Sequence, residues 1–315
     1  MIKIKMTCLA AEILFATNSS KVAAYFLTDE DHVPETIPAY TAALLDDEVP
    51  LEGPYLQYID SEEKRVSFDP VQNQAVIYTP EEALYLPDLI YLLLSMFSKE
   101  LNYYNQYILH CSAVEKDGKA IVLVGEPGSG KTTLALQFCI TRGYNLVSND
   151  RAIIGMDDKG RIKIFSGTLQ MHIRVGVIHE YFPQLISAID AEKINSPWSS
   201  KIYINPPFTG LGINVSEEAI VGKIVYISTY PVDDNLTNLI KNPVDVATLA
   251  TMKHISECIR ASRNVVISTG SPFPCFDTGE LADKRVNFVH QVVQNTEIYD
   301  ARGNIPRIVE LLDGR

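Results

Sequence analysis

The run Ile121–Phe138, IVLVGEPGSGKTTLALQF, constrains the fold more than any other part of the chain. A short apolar strand enters a glycine-rich turn, and the turn opens an amphipathic helix. Gly125, Gly130, Lys131 and Thr132 fill every fixed position of the pattern G-x-x-x-x-G-K-[ST]. Glycines let the backbone curl so that successive N–H groups point at phosphate oxygens. The new helix adds its positive end and its orphan N–H groups. Lys131 brings a mobile positive charge for outer phosphates, and the Thr132 hydroxyl suits Mg2+. The stretch Gly125, Glu126, Pro127, Gly128, Ser129, Gly130, Lys131, Thr132 and Thr133 is therefore expected to cradle a nucleoside triphosphate.

Charge narrows the partners. With 27 basic against 39 acidic residues the net charge is −12, which argues against a nucleic-acid ligand, since a phosphate backbone demands a basic footprint. Cys8, Cys111, Cys139, Cys258 and Cys275 form an odd, scattered set without a C-x-x-C pair. They read as free thiols of a reducing compartment. The opening MIKIKMTCLAAEILFATNSS sets lysines before apolar residues, as a leader would. Glu12 interrupts the apolar run, and a first β-strand is expected instead. The apolar stretch Leu84–Phe97 contains Pro87 and Asp88 and is too short for a membrane span. A cytoplasmic protein without a membrane partner is expected.

The chain divides near residue 105, giving an accessory domain over 1–104 and a nucleotide-binding domain over 105–315. In the first, Lys3–Cys8, Val22–Leu27 and Gln74–Tyr78 have strand character, and polar stretches such as Asp29–Pro38 separate them. A small α/β or mostly β domain is expected there. Helical spacing of Leu84, Leu86, Ile90, Leu93, Leu94 and Phe97 predicts a linking helix over Leu84–Leu101. From Tyr107, YILHCSAVE reads as a strand, and Asp117-Gly118 is a hairpin turn signal. The phosphate loop thus sits on the second arm of a hairpin in a mixed sheet. Gly143 should end the loop helix. YNLVSND reads as a strand, followed by a hairpin of Ala152–Met156 with Arg161–Phe165. Strands are predicted at Lys201–Ile204, Ala219–Ser228 and Asn264–Ser268, and helices at Val244–Ser262 and Ile305–Leu312.

Phosphoryl transfer needs a carboxylate near the metal or the attacking hydroxyl. Asp150 follows Lys131 by 19 residues (131 to 150) at the end of the next predicted strand, where ligand crevices form in open α/β sheets. His110, on the hairpin strand, is placed to orient that carboxylate or hold its charge.

The order H-x-S-A-V, hairpin, G-x-x-x-x-G-K-T-T-L-A-L, R-G-Y-x-L-V-S, acid resembles the HPr kinase/phosphorylase family and its looser relatives. Those include serine kinases that modify ribosomally made precursor peptides. The matching residues are His110, Ser112, Gly125–Leu136, Gly143 and Leu146–Asp150, within roughly 107–155. The resemblance implies a mixed-sheet P-loop kinase fold related to phosphoenolpyruvate carboxykinase. It also implies ATP and Mg2+ as cofactors, and transfer of a phosphoryl group to a serine hydroxyl. By the same resemblance, Asp150 is base or metal ligand, His110 assists it, and Thr132 joins Asp150 at the metal. The chain departs from the family at Asn149, where the HPr kinases carry the first of two adjacent aspartates. It also lacks a match to their C-terminal signature loop. The first departure counts against the reverse reaction, the second against HPr as substrate.

Further candidates are Arg174 in MHIRVG, Lys201 in SSKIYINPPF, Trp198 as an aromatic contact for a peptide, and STGSPFPCFD (Ser268–Asp277) as a loop over the site. His172, His179, His254 and His290 show no metal spacing. Two other readings stay open. One is a small-molecule kinase acting on a metabolite hydroxyl. The other is a regulatory ATPase without an acceptor, against which the strand KIVYIS counts by ending in Ser228-Thr229-Tyr230 rather than an acid. Oligomeric state is not legible, and a homo-oligomer is compatible with the sequence.

Overall fold

The computed structural model describes residues 1–28, 32–46, 48–186, 198–206, 208 and 211–314. Residues 29–31 of the expected polar stretch lie outside them. The protein is mixed α/β and divides into two compact units. One combines Met1–Leu109 with Thr251–Val289, the other His110–Ala250 with His290–Arg315.

The first unit is built on six strands: β1 (Ile2–Cys8), β2 (Ala11–Thr17), β3 (Tyr40–Leu45), β4 (Tyr55–Asp60), β5 (Arg65–Asp69) and β6 (Gln74–Thr79). They form a mixed sheet in the order β3-β1-β2-β4-β6-β5. Alternation decides its faces: Ile4, Met6 and Cys8 of β1 and Ala11, Ile13 and Phe15 of β2 are buried. Val22–Leu27 is helical rather than extended, inside α1 (Ser20–Leu27). The Ser19 hydroxyl accepts from the Val22 N–H and caps it, and Val22, Ala23 and Phe26 then fall on one buried face. A short helix α2 (His32–Thr36) follows, and α3 (Leu86–Tyr103) matches the predicted helix closely.

The second unit holds the glycine-rich loop 125–130. Its strands are β7 (Gln106–Lys116, which begins in the first unit), β8 (Lys119–Val124), β9 (Asn145–Ser148), β10 (Arg151–Met156), β11 (Ile162–Gly167), β12 (Met171–Arg174), β13 (Lys201–Ile204), β14 (Asn214–Val215), β15 (Ala219–Thr229) and β16 (Asn238–Lys241). Helices α4 (Lys131–Arg142) and α5 (Val175–Tyr181) lie among them, and α6 (Val244–Ala261) leads back to the first unit. There β17 (Val265–Val266) pairs with β18 (Ser271–Pro272), a much shorter extended segment than the predicted Asn264–Ser268. Helix α7 (Gly279–Asn295), β19 (Glu297–Gly303) and α8 (Ile305–Asp313) complete the chain. The return segment is bound within its unit by polar contacts. The Asp88 carboxylate accepts from Ser268 N–H at 2.7 Å and Ser268 Oγ at 2.6 Å. The fully buried Arg285 bonds Asn102, Ser256 and Asp277.

Among the described residues, nine strands of the second unit form one mixed sheet. β7 and β8 are an antiparallel hairpin, with Cys111 opposite Val124 and Lys116 opposite Lys119. Asp117 (φ 55°) and Gly118 (φ 77°) are both left-handed, as a two-residue turn matching strand twist requires. β15 runs parallel to β8 on its other side and parallel to β19. β9 is antiparallel to β7, so it shares the direction of β8. The C-terminal ends of β8, β9 and β15 therefore meet along one sheet edge, the place where open α/β sheets bind ligands. No helix among the described residues is long and apolar enough to cross a membrane.

Candidate phosphate-binding site

The loop after β8 is shaped by its glycines. Gly128 (φ 84°) and Gly130 (φ 97°) are left-handed, and Gly130 opens α4 without a side-chain cap. The first-turn N–H groups of α4, at Lys131, Thr132 and Thr133, are thus left as anion donors. Glu126, Pro127 and Gly128 are exposed, whereas Lys131 is 8% exposed. The Lys131 ammonium donates to the carbonyls of Gly125 (2.7 Å) and Glu126 (3.3 Å), which holds it over the loop. At the far end of α4, Gly143 (φ 68°) stops the helix, as expected.

Thr229, the last residue of β15, clamps the loop. Its N–H (3.1 Å) and hydroxyl (2.8 Å) both donate to the Ser129 carbonyl. In a trans peptide, C=O and N–H point oppositely, so the Gly130 N–H is turned away from β15. Nothing local in the sequence marks this role beyond the fact that β15 ends without an acid.

Asp150 lies between β9 and β10, three residues beyond the irregularity at Val147, where the ladder from β9 to β7 shifts register between Ala113 and Val114. Its backbone is well braced. The Cys111 N–H donates to the Asp150 carbonyl (2.9 Å), the Asn149 N–H to the Thr168 carbonyl (2.7 Å), and the Ser112 hydroxyl to the Asn149 carbonyl (2.5 Å). The Asp150 N–H (3.3 Å) and Arg151 N–H (3.0 Å) converge on the Thr168 hydroxyl. Since Cys111 also sits opposite Val124, Asp150 and the start of the glycine-rich loop lie on one line across the sheet.

His110 and Arg151 both reach the carboxylate. His110 Nε2 is 3.2 Å from Asp150 Oδ1, and Arg151 Nη1 bonds Asp150 Oδ2. Burial raises the carboxyl's pKa, but the Arg151 charge, the His110 hydrogen bond and the Lys131 charge outweigh it. They hold the group well below the usual carboxylate range. The neighbouring Cys111 thiol is pushed up to about 12, chiefly by burial, with Lys131 and Asp150 acting on it in opposite senses. That thiol stays protonated at neutral pH and is no nucleophile.

Two buried atoms at the site, Ser129 Oγ and Asn149 Oδ1, find no hydrogen-bond partner among the described residues. The Asn149 amide nitrogen donates to the Gln170 carbonyl (2.8 Å), so its oxygen is the end left over. An unpartnered acceptor beside Asp150 fits a Mg2+ ligand or a hydroxyl donor. Among the described residues no cluster of three His, Cys, Asp or Glu side chains is set to hold a metal. Thr132, Asp150 and Asn149 would complete a Mg2+ shell only together with phosphate oxygens and water, the usual manner for this ion.

The structure thus brings together the loop, Lys131, Asp150 and His110. Arg174 and Lys201 are cross-strand neighbours in the β12–β13 pair, and Trp198 is beside Arg174. Ser268–Asp277 belongs to the first unit, where Ser268 bonds Asp88 and Asp277 bonds Arg260 and Arg285. Arg151 and Thr168 were not foreseen. An arginine directly after Asn-Asp is the only sign the sequence carries of the first, and nothing flags the second. No protein-family model matches the chain, and no curated protein matches it.

Proposed function

We propose that this protein is a kinase that uses ATP and Mg2+ to phosphorylate a hydroxyl, that of a serine in a peptide or protein. We assign it the mixed-sheet P-loop fold of the HPr kinase and phosphoenolpyruvate carboxykinase type. The observation that carries the proposal is the convergence of an uncapped glycine-rich helix start, Lys131 and the His110–Asp150 pair on one sheet edge.

Bound ATP would supply the γ-phosphoryl group and leave as ADP, the hydroxyl proton passing late to the transferred phosphoryl group or to water; Thr132, Asp150 and Asn149 Oδ1 would hold Mg2+, which would neutralise phosphate charge. The loop amides and Lys131 bind and orient the phosphates. Asp150 is a weak proton acceptor, because Arg151 and His110 stabilise its ionised form. Its work is orientation of the attacking hydroxyl and of the metal, which suits a loose phosphoryl-transfer transition state that asks little of a base. His110 fixes the carboxylate's rotamer. Incubation with γ-labelled ATP and serine peptides tests the reading. If nucleotide binds but label reaches no peptide, while a metabolite hydroxyl accepts it or only water does, the reading fails.

The clamp has its own test. Thr229→Val keeps the shape and loses the hydroxyl bond, and is expected to raise the KM for ATP about five- to tenfold, the worth of one neutral hydrogen bond. Thr229→Ser should restore it.

The charge on Asp150 predicts pH behaviour. A carboxyl held below its unfolded value gives stability that is complete above about pH 4. That stability is lost as the pH falls from there through the folded value. Activity should accordingly show no acid limb from Asp150 at neutral or mildly acidic pH. In Arg151→Met the largest stabilising charge is gone, so an acid limb should move upward in the pH profile of kcat. An unmoved limb would show that Arg151 does not tune Asp150.

A further inference from the structure

The pair β12–β13 is a short ribbon of four residues per strand, with His172 opposite Tyr203 and Arg174 opposite Lys201. Opposed residues share a face, as do alternate residues of one strand. Met171, Ile173 and Ile204 are buried on one side, and His172, Arg174, Lys201 and Tyr203 are exposed on the other. The outer face is ordered. The His172 and Tyr203 rings lie 4.3 Å apart. Arg174 Nη1 donates to the Trp198 carbonyl at 2.5 Å, which fixes the guanidinium while leaving it four other donors. Trp198, 55% exposed, lies over Gly176 so closely that a Cβ there would meet its ring.

Two full cations, a histidine and an exposed tyrosine thus share one face of the ribbon, and the exposed Trp198 adjoins it through its carbonyl on Arg174, in a chain whose net charge is −12. The ribbon is also continuous with the proposed centre. The carbonyls of Thr168 and Gln170, which hold Asn149 in place, immediately precede Met171. The first outward side chain, His172, is two residues beyond Gln170.

We propose that this face docks an acidic segment of the acceptor polypeptide and so delivers a nearby serine to Asp150. The proposal rests on the kinase reading. Arg174 and Lys201 supply charge complementarity, while Tyr203 and Trp198 cover the peptide's apolar stems. A peptide fits better than a nucleic acid, because two cations in a strongly acidic protein cannot offset a run of phosphates.

The test uses fluorescein-labelled serine peptides of matched length, one glutamate-rich, one with glutamine in place of glutamate, one lysine-rich. Anisotropy reads binding and γ-labelled ATP reads transfer. The glutamate peptide should bind best, and the double variant Arg174→Glu/Lys201→Glu should weaken it about tenfold or more. The KM for that peptide should rise by a similar factor, with kcat and the KM for ATP little changed. The lysine peptide should gain affinity for the variant, and Arg174→Lys/Lys201→Arg should keep the wild-type preference. Equal binding and transfer for the glutamate and glutamine peptides, or an unaffected double variant that keeps its melting temperature, overturns the docking proposal alone. An RNA oligonucleotide that displaces the glutamate peptide overturns it too. Binding that depends on Arg174 and Lys201 without transfer to any peptide sinks the kinase reading and leaves the docking face standing.

Discussion

Asp150→Asn is expected to lower kcat by about 10³-fold, roughly 4 kcal/mol of transition-state stabilisation, with nucleotide affinity measured without Mg2+ changed only a few-fold. The substitution is nearly isosteric, so the backbone bonds to Cys111 and Thr168 persist. What disappears is the negative charge on which Arg151, His110 and Lys131 converge. An amide at this position still ligates weakly, but it cannot offset Mg2+ charge or hold a hydroxyl as strongly. His110→Ala should cost less, on the order of tenfold, because it loosens the carboxylate without removing it. Asp150→Asn also leaves the Arg151 side chain, only 11% exposed, without its carboxylate partner. A fall in melting temperature is therefore expected, since a buried guanidinium that loses its ion pair is costly. Measurement of kcat below the melting transition separates the two effects. Were kcat to stay within about tenfold of the wild type, Asp150 would not be at the chemical centre.

Where local chemistry decides the structure, the sequence was readable. Asp117-Gly118 accepts two left-handed residues, so the hairpin and the position of the loop on its second arm could be read directly. Gly143 and the stripe of leucines in α3 were equally plain. Elsewhere tertiary context wins. Val22 and the aromatic Tyr25-Phe26 favour a strand, but the Ser19 cap and the single buried face make a helix. Helix α7 was missed because Arg285 stands in the middle of its buried stripe of Leu281, Phe288, Val289 and Val292. That arginine is buried because Asp277, Asn102 and Ser256 satisfy it, and partners so far apart in the chain leave no local trace. The return of 251–289 to the first unit is hidden for the same reason. At the site, Lys131 and the loop glycines are written as a motif. Asp150 and His110 were placed by strand order and resemblance. Thr229 and Thr168 act through backbone atoms of distant residues, which no spacing rule encodes.

Gly130→Ala should abolish tight nucleotide binding, raising the Kd by at least about 100-fold, near 2.7 kcal/mol. Two separate costs meet there. At φ 97° an alanine is strained by about 1–2 kcal/mol. Its Cβ would also run into the Thr229 hydroxyl and lie 2.8 Å from Thr229 Cγ2. Thr229 has little freedom to yield, because its hydroxyl and N–H both hold the Ser129 carbonyl. Either the clamp breaks or the Ser129–Gly130 peptide turns, and both move an amide out of the anion cradle. Neighbouring glycines separate the two costs. Gly128→Ala carries similar strain (φ 84°) in the same loop with nothing within 4 Å of the new methyl, and should weaken binding about tenfold or less. Gly118→Ala, strained in the β7–β8 turn with open space around it, should lower stability by about 1 kcal/mol and leave nucleotide affinity alone. Thr229→Gly in the Gly130→Ala background removes the obstacle and should recover part of the lost affinity. Isothermal titration with ATP reads all four variants. If Gly130→Ala binds like Gly128→Ala, the clash with Thr229 does not govern the loop, and the clamp is not what shapes the cradle.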